Sequence, residues 1–224
     1  PLVPTPPPSP APPPPIFSIA VTDRHADLPW PCFSFWDWRE AGVGSWPQQA
    51  ASMSSSARKW EWEKRIPQVF WRGSDNGKYV GEDGKVQGKR RPLVVLSEQH
   101  PLEFNARFTR STAPLTHVPL RDHCRYQFLV NVGGETYSAR LKYLLLCGSA
   151  ILQVGNEYWE FFEPLLLPGK HFLPFPNASH EMLQTFLHAR QSPKRMKQLG
   201  ADAERFGREC LRMADVLEYM RGML

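Results

Sequence analysis

The chain has 224 residues, enough for one substantial core or two small ones, and its 42% hydrophobic and 22% charged residues exclude a wholly disordered protein. No apolar run approaches the roughly 18 residues that a membrane-spanning helix requires. The net charge of +5 comes from scattered basic residues with one compact cluster, Lys85 to Arg91, set among glycines; that pattern reads as a solvated basic loop and indicates no nucleic-acid partner.

The first 15 residues, PLVPTPPPSPAPPPP, hold ten of the 23 prolines and no charge. Short of backbone donors, such a tract builds neither a helix interior nor a ladder, and we read residues 1–15 as an extended polyproline-type linker rather than a ligand for a proline-binding module. It has neither the charged nor the apolar region of a signal peptide. From Ile16, IFSIAVTD is a short apolar strand candidate, followed by an aromatic, turn-rich region that packs as loop. The serine-led segment SMSSSARKWEWEKR predicts a short helix ending before Pro67. QVFWRGS is a strand running into a glycine turn at Arg72, Gly73 and Ser74. The stretch to Arg91 reads as irregular loop, and PLVVLSEQH as a strand or the start of a helix.

The second half is more regular. YQFLVNV, Tyr126 to Val132, is a strand; GGETYSARLKYLLLCGS turns on Gly133 and Gly134 and becomes helical; AILQV, Ala150 to Val154, is a second buried strand. Together they form a βαβ unit. Thr136 or Ser138 is placed to cap the helix and Gly148 to end it, which puts Arg140 near the first turn. The acidic, aromatic EYWEFFEPLLLPGKHFLPF is broken by prolines into a short helix and a strand near His171 to Phe175. HEMLQTFLHAR is helical, and after Pro193 a long amphipathic stretch carries Met196, Leu199, Ala203, Phe206, Cys210, Met213, Leu217 and Met220 on one stripe, a pattern of core packing.

The loop after the first strand of a βαβ unit lies at the carboxyl edge of the sheet, where anions are favoured. The glycine pair forms neither the dinucleotide fingerprint nor a Walker loop. The residues therefore reach an α/β domain with a phosphate-friendly edge, in which Arg140 suits a ligand contact and a structural salt bridge equally, as does Arg72. Glu157, Glu160 and Glu163 are candidates for sugar hydroxyls or for a base, though acids on such a segment mostly face water. His25, His117, His123 and His171 lack the spacing of a catalytic pair or metal site. Cys32, Cys124, Cys147 and Cys210 show no metal-ligand spacing, which argues against structural zinc and leaves disulfide and buried thiol both open.

The run from Asp122 to Phe175, DHCRYQFLVNVGGETYSARLKYLLLCGSAILQVGNEYWEFFEPLLLPGKHFLPF, resembles the Rumi-type protein O-glucosyltransferases, the capsule-associated-protein group of transferases, and FWRGS and PIFSI…FSFWDW are similar to pieces of that family in the same order. The resemblance covers roughly Pro15 to the C-terminus. It implies an α/β, GT-B-like fold, chiefly the C-terminal Rossmann-like half that binds the nucleotide sugar, with an incomplete N-terminal half. It also implies a division at residues 16–66, a remnant of the acceptor side, and 67–224, the donor-binding domain. The implied activity is inverting transfer of glucose or xylose from UDP-glucose or UDP-xylose to a serine in secreted protein modules or to a glycan hydroxyl, with no metal required. Arg72, Gly73 and Ser74 match the family's Arg-Gly-Ser turn near the donor, and Ser138 and Arg140 its Ser-x-Arg that neutralises the diphosphate; Glu157 and Glu160 are weaker candidates for sugar or ribose contacts. Cys124 and Cys147 fall where the family carries a disulfide, which implies an oxidising lumen of the endoplasmic reticulum or Golgi, although the ending RGML is not a Lys-Asp-Glu-Leu-type retention signal. The family's apparent catalytic aspartate lies upstream of PIFSI, where this chain has its proline tract, and nothing in the spacing of Asp23 or Asp27 makes either a substitute. The alternative function is accordingly a truncated, non-catalytic UDP-binding or scaffolding protein.

Overall fold

The computed structural model describes residues 14–39, 42–80, 86–109, 117–155 and 157–224. Most of the proline tract and Lys85 of the basic cluster lie outside the described residues. Strands β1 (Phe17–Ser18) and β2 (Leu28–Pro29) form a small parallel pair. Helix α1 (Trp46–Lys59) starts well before the predicted serine-led segment. Its start is set at Ser45, whose N–H donates to Gln48 Oε1 at 3.2 Å, with Pro47 in the first turn. Buried Arg65 closes the other end by donating to the Trp60 and Ala57 carbonyls.

A five-stranded sheet organises the rest. It contains β3 (Ile66–Gly73), β6 (Phe104–Phe108), β7 (Tyr126–Asn131), β8 (Ala150–Val154) and β9 (Leu173–Phe175), every pairing parallel. A separate antiparallel hairpin, β4 (Lys78–Val80) and β5 (Val86–Gly88), rises from the segment read as irregular loop. Across the sheet the order is β6-β3-β7-β8-β9. Counted within the sheet this is 2-1-3-4-5, the doubly wound Rossmann-like arrangement whose order reverses between its first and third strands, β3 and β7. Strand β6 escaped the sequence reading although Phe104, Ala106 and Phe108 alternate with Asn105 and Arg107, because an alternation only five residues long stands out little from its surroundings.

Both faces of the sheet are covered, as a parallel sheet requires. Phe70, Leu129 and Ile151 point to one face and pack with Phe35, Trp46, Met53 and the residues of α4 (Leu141–Leu145). Val69, Trp71, Phe128, Val130 and Leu152 point to the other, beneath α2 (Arg91–Gln99) and α5 (Ser179–Arg190). Phe35, Trp46 and Met53, from the segment expected to be an acceptor-side remnant, thus share one core with the sheet. The short helix α3 (Leu120–His123) is followed by Cys124, which forms a disulfide with Cys147 beyond the end of α4.

Two further expectations about helices change. The predicted C-terminal stretch is two helices, α6 (Pro193–Glu209) and α7 (Met213–Met223), broken at Cys210 to Arg212. Met196, Leu199, Ala203 and Phe206 are buried as expected, but Cys210 is exposed and Leu211 is buried in its place. Helix α4 is also much shorter than predicted and begins only at Leu141, with Arg140 as its N-cap residue rather than Thr136 or Ser138. The chain from Gly133 to Ala139 is used instead as a loop along the sheet edge. The helix ends at its C-cap Leu146, and Gly148 carries the turn beyond it with φ +63°, a conformation glycine adopts without strain.

Candidate functional site

The carboxyl ends of β3 and β7 meet at the order reversal, where open α/β sheets place their ligands. A cavity of about 660 Å³ lies there, within the range of small-molecule sites. Arg72, Gly73 and Ser74 reach it from the end of β3, and Gly134 through Arg140 from the loop after β7. The two segments expected to serve the donor are therefore brought together, although more than sixty residues separate them in the chain.

Ser138 is buried in the wall, its carbonyl accepting the Leu141 N–H at 3.2 Å. Arg140 is half-buried, with its guanidinium carbon 5.8 Å from the centroid of the buried Trp71 ring. Among the described residues no carboxylate pairs with it. Desolvation and then the nearby Arg90 push its pKa down to about 10, so it remains a cation at neutral pH. A half-buried guanidinium facing another cation is stabilised by any anion that enters between them. Because α4 has only five residues, the attraction for an anion comes from these guanidinium groups and not from a helix terminus.

Arg72 is more heavily committed. It donates to the carbonyl and Oδ1 of Asn105, both at 2.7 Å, and to its neighbour's carbonyl at 2.8 Å, and it lies over the Phe70 ring. It lines the cavity while tying β3 to β6. Gly73 is needed for space: a Cβ there would come within 2.6 Å of the Trp71 ring and 3.1 Å of Arg140 Nη2. Ser74 accepts from Arg90 Nη1 at its carbonyl, 3.0 Å, and at Oγ, 3.3 Å.

Arg90 is the residue that sequence reasoning missed. It belongs to the cluster expected to be solvated, yet it is 5% exposed. Besides Ser74 it bonds the Gly133 carbonyl at 3.1 Å and Asn76 Oδ1, and it too lies over Trp71. It thereby clamps the loop after β3 to the loop after β7. Only its position just before Pro92 at the start of α2 hinted at order.

His117 and His123 also line the cavity. His123 is buried, its Nε2 3.3 Å from the Val118 carbonyl and its ring 4.8 Å from that of Phe70. Desolvation, followed by Arg140, holds its pKa down to about 3, so the imidazole is neutral at neutral pH. Glu157 and Glu160, expected as sugar or ribose contacts, do not line the cavity. Glu157 pairs with Arg24 at the surface at 2.8 Å, and Glu160 is wholly buried against Lys142. Asp23 accepts from Trp159 Nε1, and Asp27 is likewise outside the cavity. Among the described residues no group of three or more His, Cys, Asp or Glu side chains is arranged to hold a metal ion, and no helix is long and apolar enough to cross a membrane.

Sheet order and cavity together define a Rossmann-like α/β protein with a cationic ligand site at its topological switch point. The chain belongs to glycosyl transferase family 90, whose family model matches residues 4–224. It is 33% identical over 190 residues to an O-glucosyltransferase rumi homolog of Aedes aegypti, covering 77% of this chain and 45% of that protein. It is 28% identical over 227 residues to protein O-glucosyltransferase 1 of Homo sapiens, covering 93% and 55%. The chain thus spans about half the length of these curated relatives. Among solved structures, HepE of Anabaena in complex with UDP and glucose aligns at 9% identity over 77% of this chain and 51% of that one, with a TM-score of 0.49. Sucrose-phosphate synthase of Thermosynechococcus elongatus aligns at 15% over 81% and 43%, with a TM-score of 0.45. At that level of likeness neither adds to the assignment.

Proposed function

We propose that this chain is the donor-binding part of an inverting glycosyltransferase that moves glucose, or xylose, from its UDP-sugar to a hydroxyl, a serine of a protein module or a glycan hydroxyl. The observation that carries this reading is Arg140, a half-buried cation without a carboxylate partner among the described residues, held beside Arg90 at the switch point. The sugar departs from UDP as negative charge grows on the leaving diphosphate. A preorganised guanidinium in a partly dry site stabilises that charge more in the transition state than in the ground state. In this reading the arginines supply the charge neutralisation that a metal ion supplies in other transferases. The names of the relatives support glucose as the sugar. The Cys124–Cys147 disulfide supports an oxidising compartment, the lumen of the endoplasmic reticulum or Golgi.

A second reading, UDP binding without turnover by this chain, is favoured by one feature. Glu135 is the one carboxylate among the described residues that line the cavity, and it is engaged by the Gly77 N–H at 2.9 Å. Among the described residues of the cavity wall, a free carboxylate to serve as general base is therefore not in view. Calorimetric titration with UDP, UDP-glucose and UDP-xylose, followed by a donor-turnover assay on the same sample, separates the two readings. Both expect UDP binding that Arg140→Ala abolishes; only the first expects turnover. Unchanged UDP affinity in Arg140→Ala sinks the phosphate-site assignment itself.

A further inference from the structure

Directly behind the Ser138-to-Arg140 loop lies a fully buried pair of opposite charges. Lys142 and Glu160 are both 0% exposed, with Nζ and Oε1 3.3 Å apart. The ammonium is enclosed by aromatic rings, 4.9 Å from the Phe35 centroid and 5.1 Å from that of Tyr143. A buried ion pair is a poor device for stability, because removing two charges from water costs as much as their attraction returns, and apolar residues of similar volume often serve the core better. Lys142 also makes a second bond. From the second position of α4 its side chain leans back toward the start of the helix and donates to the Ala139 carbonyl at 3.1 Å. Ala139 stands between Ser138 and Arg140.

We propose that Lys142, aimed by Glu160, is a positioning residue for the anion site: it fixes the Ala139 peptide and so the directions in which Ser138 and Arg140 face the cavity. The inference rests on the donor-site reading of that loop. Without the amine, the Ala139 carbonyl is left unpaired behind the loop, and the loop rotates to find water. The Arg140 backbone then loses its fixed start, although the Tyr143 and Leu144 N–H groups both bond its carbonyl.

The test uses the double variant Lys142→Met/Glu160→Leu, which replaces the pair by apolar side chains and strands no charge. Lys142→Met/Glu160→Gln is the second variant should the first fail to fold. The expected result is a melting temperature near that of the wild type, faster hydrogen exchange at the Leu141, Tyr143 and Leu144 amides of the ligand-free protein, and UDP binding weakened at least about tenfold. Unchanged exchange, or unchanged UDP affinity in a folded variant, overturns the proposal. So does failure of both variants to fold, since the pair would then belong to the core and not to the site. Should the wild type itself bind no UDP, the proposed function falls, while the exchange measurement still decides whether Lys142 orders the loop.

Discussion

At the scale of single residues, the site is built from cations that the fold has partly dried. The Trp71 ring lies beneath both Arg90 and Arg140, so an aromatic surface holds both guanidinium faces, while the edge of Arg90 is spent on Gly133, Ser74 and Asn76. The same drying acts on His123 with the opposite consequence for charge. Its folded pKa of about 3 lies below the ordinary 6.5. Between those values the unfolded chain takes up a proton that the folded protein refuses. The contribution of this histidine is therefore intact above pH 6.5 and is lost as pH falls toward 3. We expect wild-type stability, relative to His123→Gln, to fall by on the order of 1–2 kcal/mol between pH 7 and pH 5, as read from urea midpoints; parallel pH profiles would show that His123 is not the group responsible. Arg140 was legible in the sequence as a charge at the mouth of an apolar segment. Arg90 was not, because a run of basic residues among glycines looks the same whether its side chains meet water or a buried carbonyl.

At the scale of elements, residues of strong period were easily read and residues of close approach were not. Strands β7 and β8 are continuous apolar runs of the kind that parallel sheets bury on both faces, and they fall where expected. Helix α4 was overestimated because Thr136 and Ser138 look like caps in isolation, whereas the tertiary fold stretches that segment along the sheet edge to line the cavity. Glycine in α6 shows the same contest between local and tertiary effects. By helix propensity alone, Gly200→Ala should stabilise by about 1 kcal/mol. A Cβ at Gly200, however, would come within 2.5 Å of the Gly148 carbonyl oxygen, a backbone atom that cannot turn aside as a side chain could. We expect Gly200→Ala to destabilise by about 1–3 kcal/mol in chemical denaturation; a gain in stability would mean that α6 does not cross so close over the loop before β8.

At the scale of the whole molecule, the reversal of strand order between β3 and β7 turns two distant loops into one wall. A ligand bound there couples both halves of the sheet, so it should stabilise the entire fold. With UDP at about 100 times its Kd, linkage adds about 2.7 kcal/mol, which for a domain of this size raises Tm by roughly 5–10 °C. Uridine, which lacks the diphosphate, should give almost no shift, and added salt should reduce the UDP shift. Equal shifts from UDP and uridine would place the binding energy at the base and away from the arginines. Family resemblance and the parallel α/β class were present in the linear text, because they rest on local pattern and on motifs in a recognisable order; the pairing of Cys124 with Cys147 was implied by that resemblance alone, since the residues by themselves left disulfide and buried thiol both open. The company each charge keeps was not. Glu157 and Glu160 have similar neighbours in sequence, yet one meets Arg24 in water and the other meets Lys142 in the core. Burial and partnership are set by segments far apart in the chain, and only when the sheet brings them together does a carboxylate become structural or an arginine become a site.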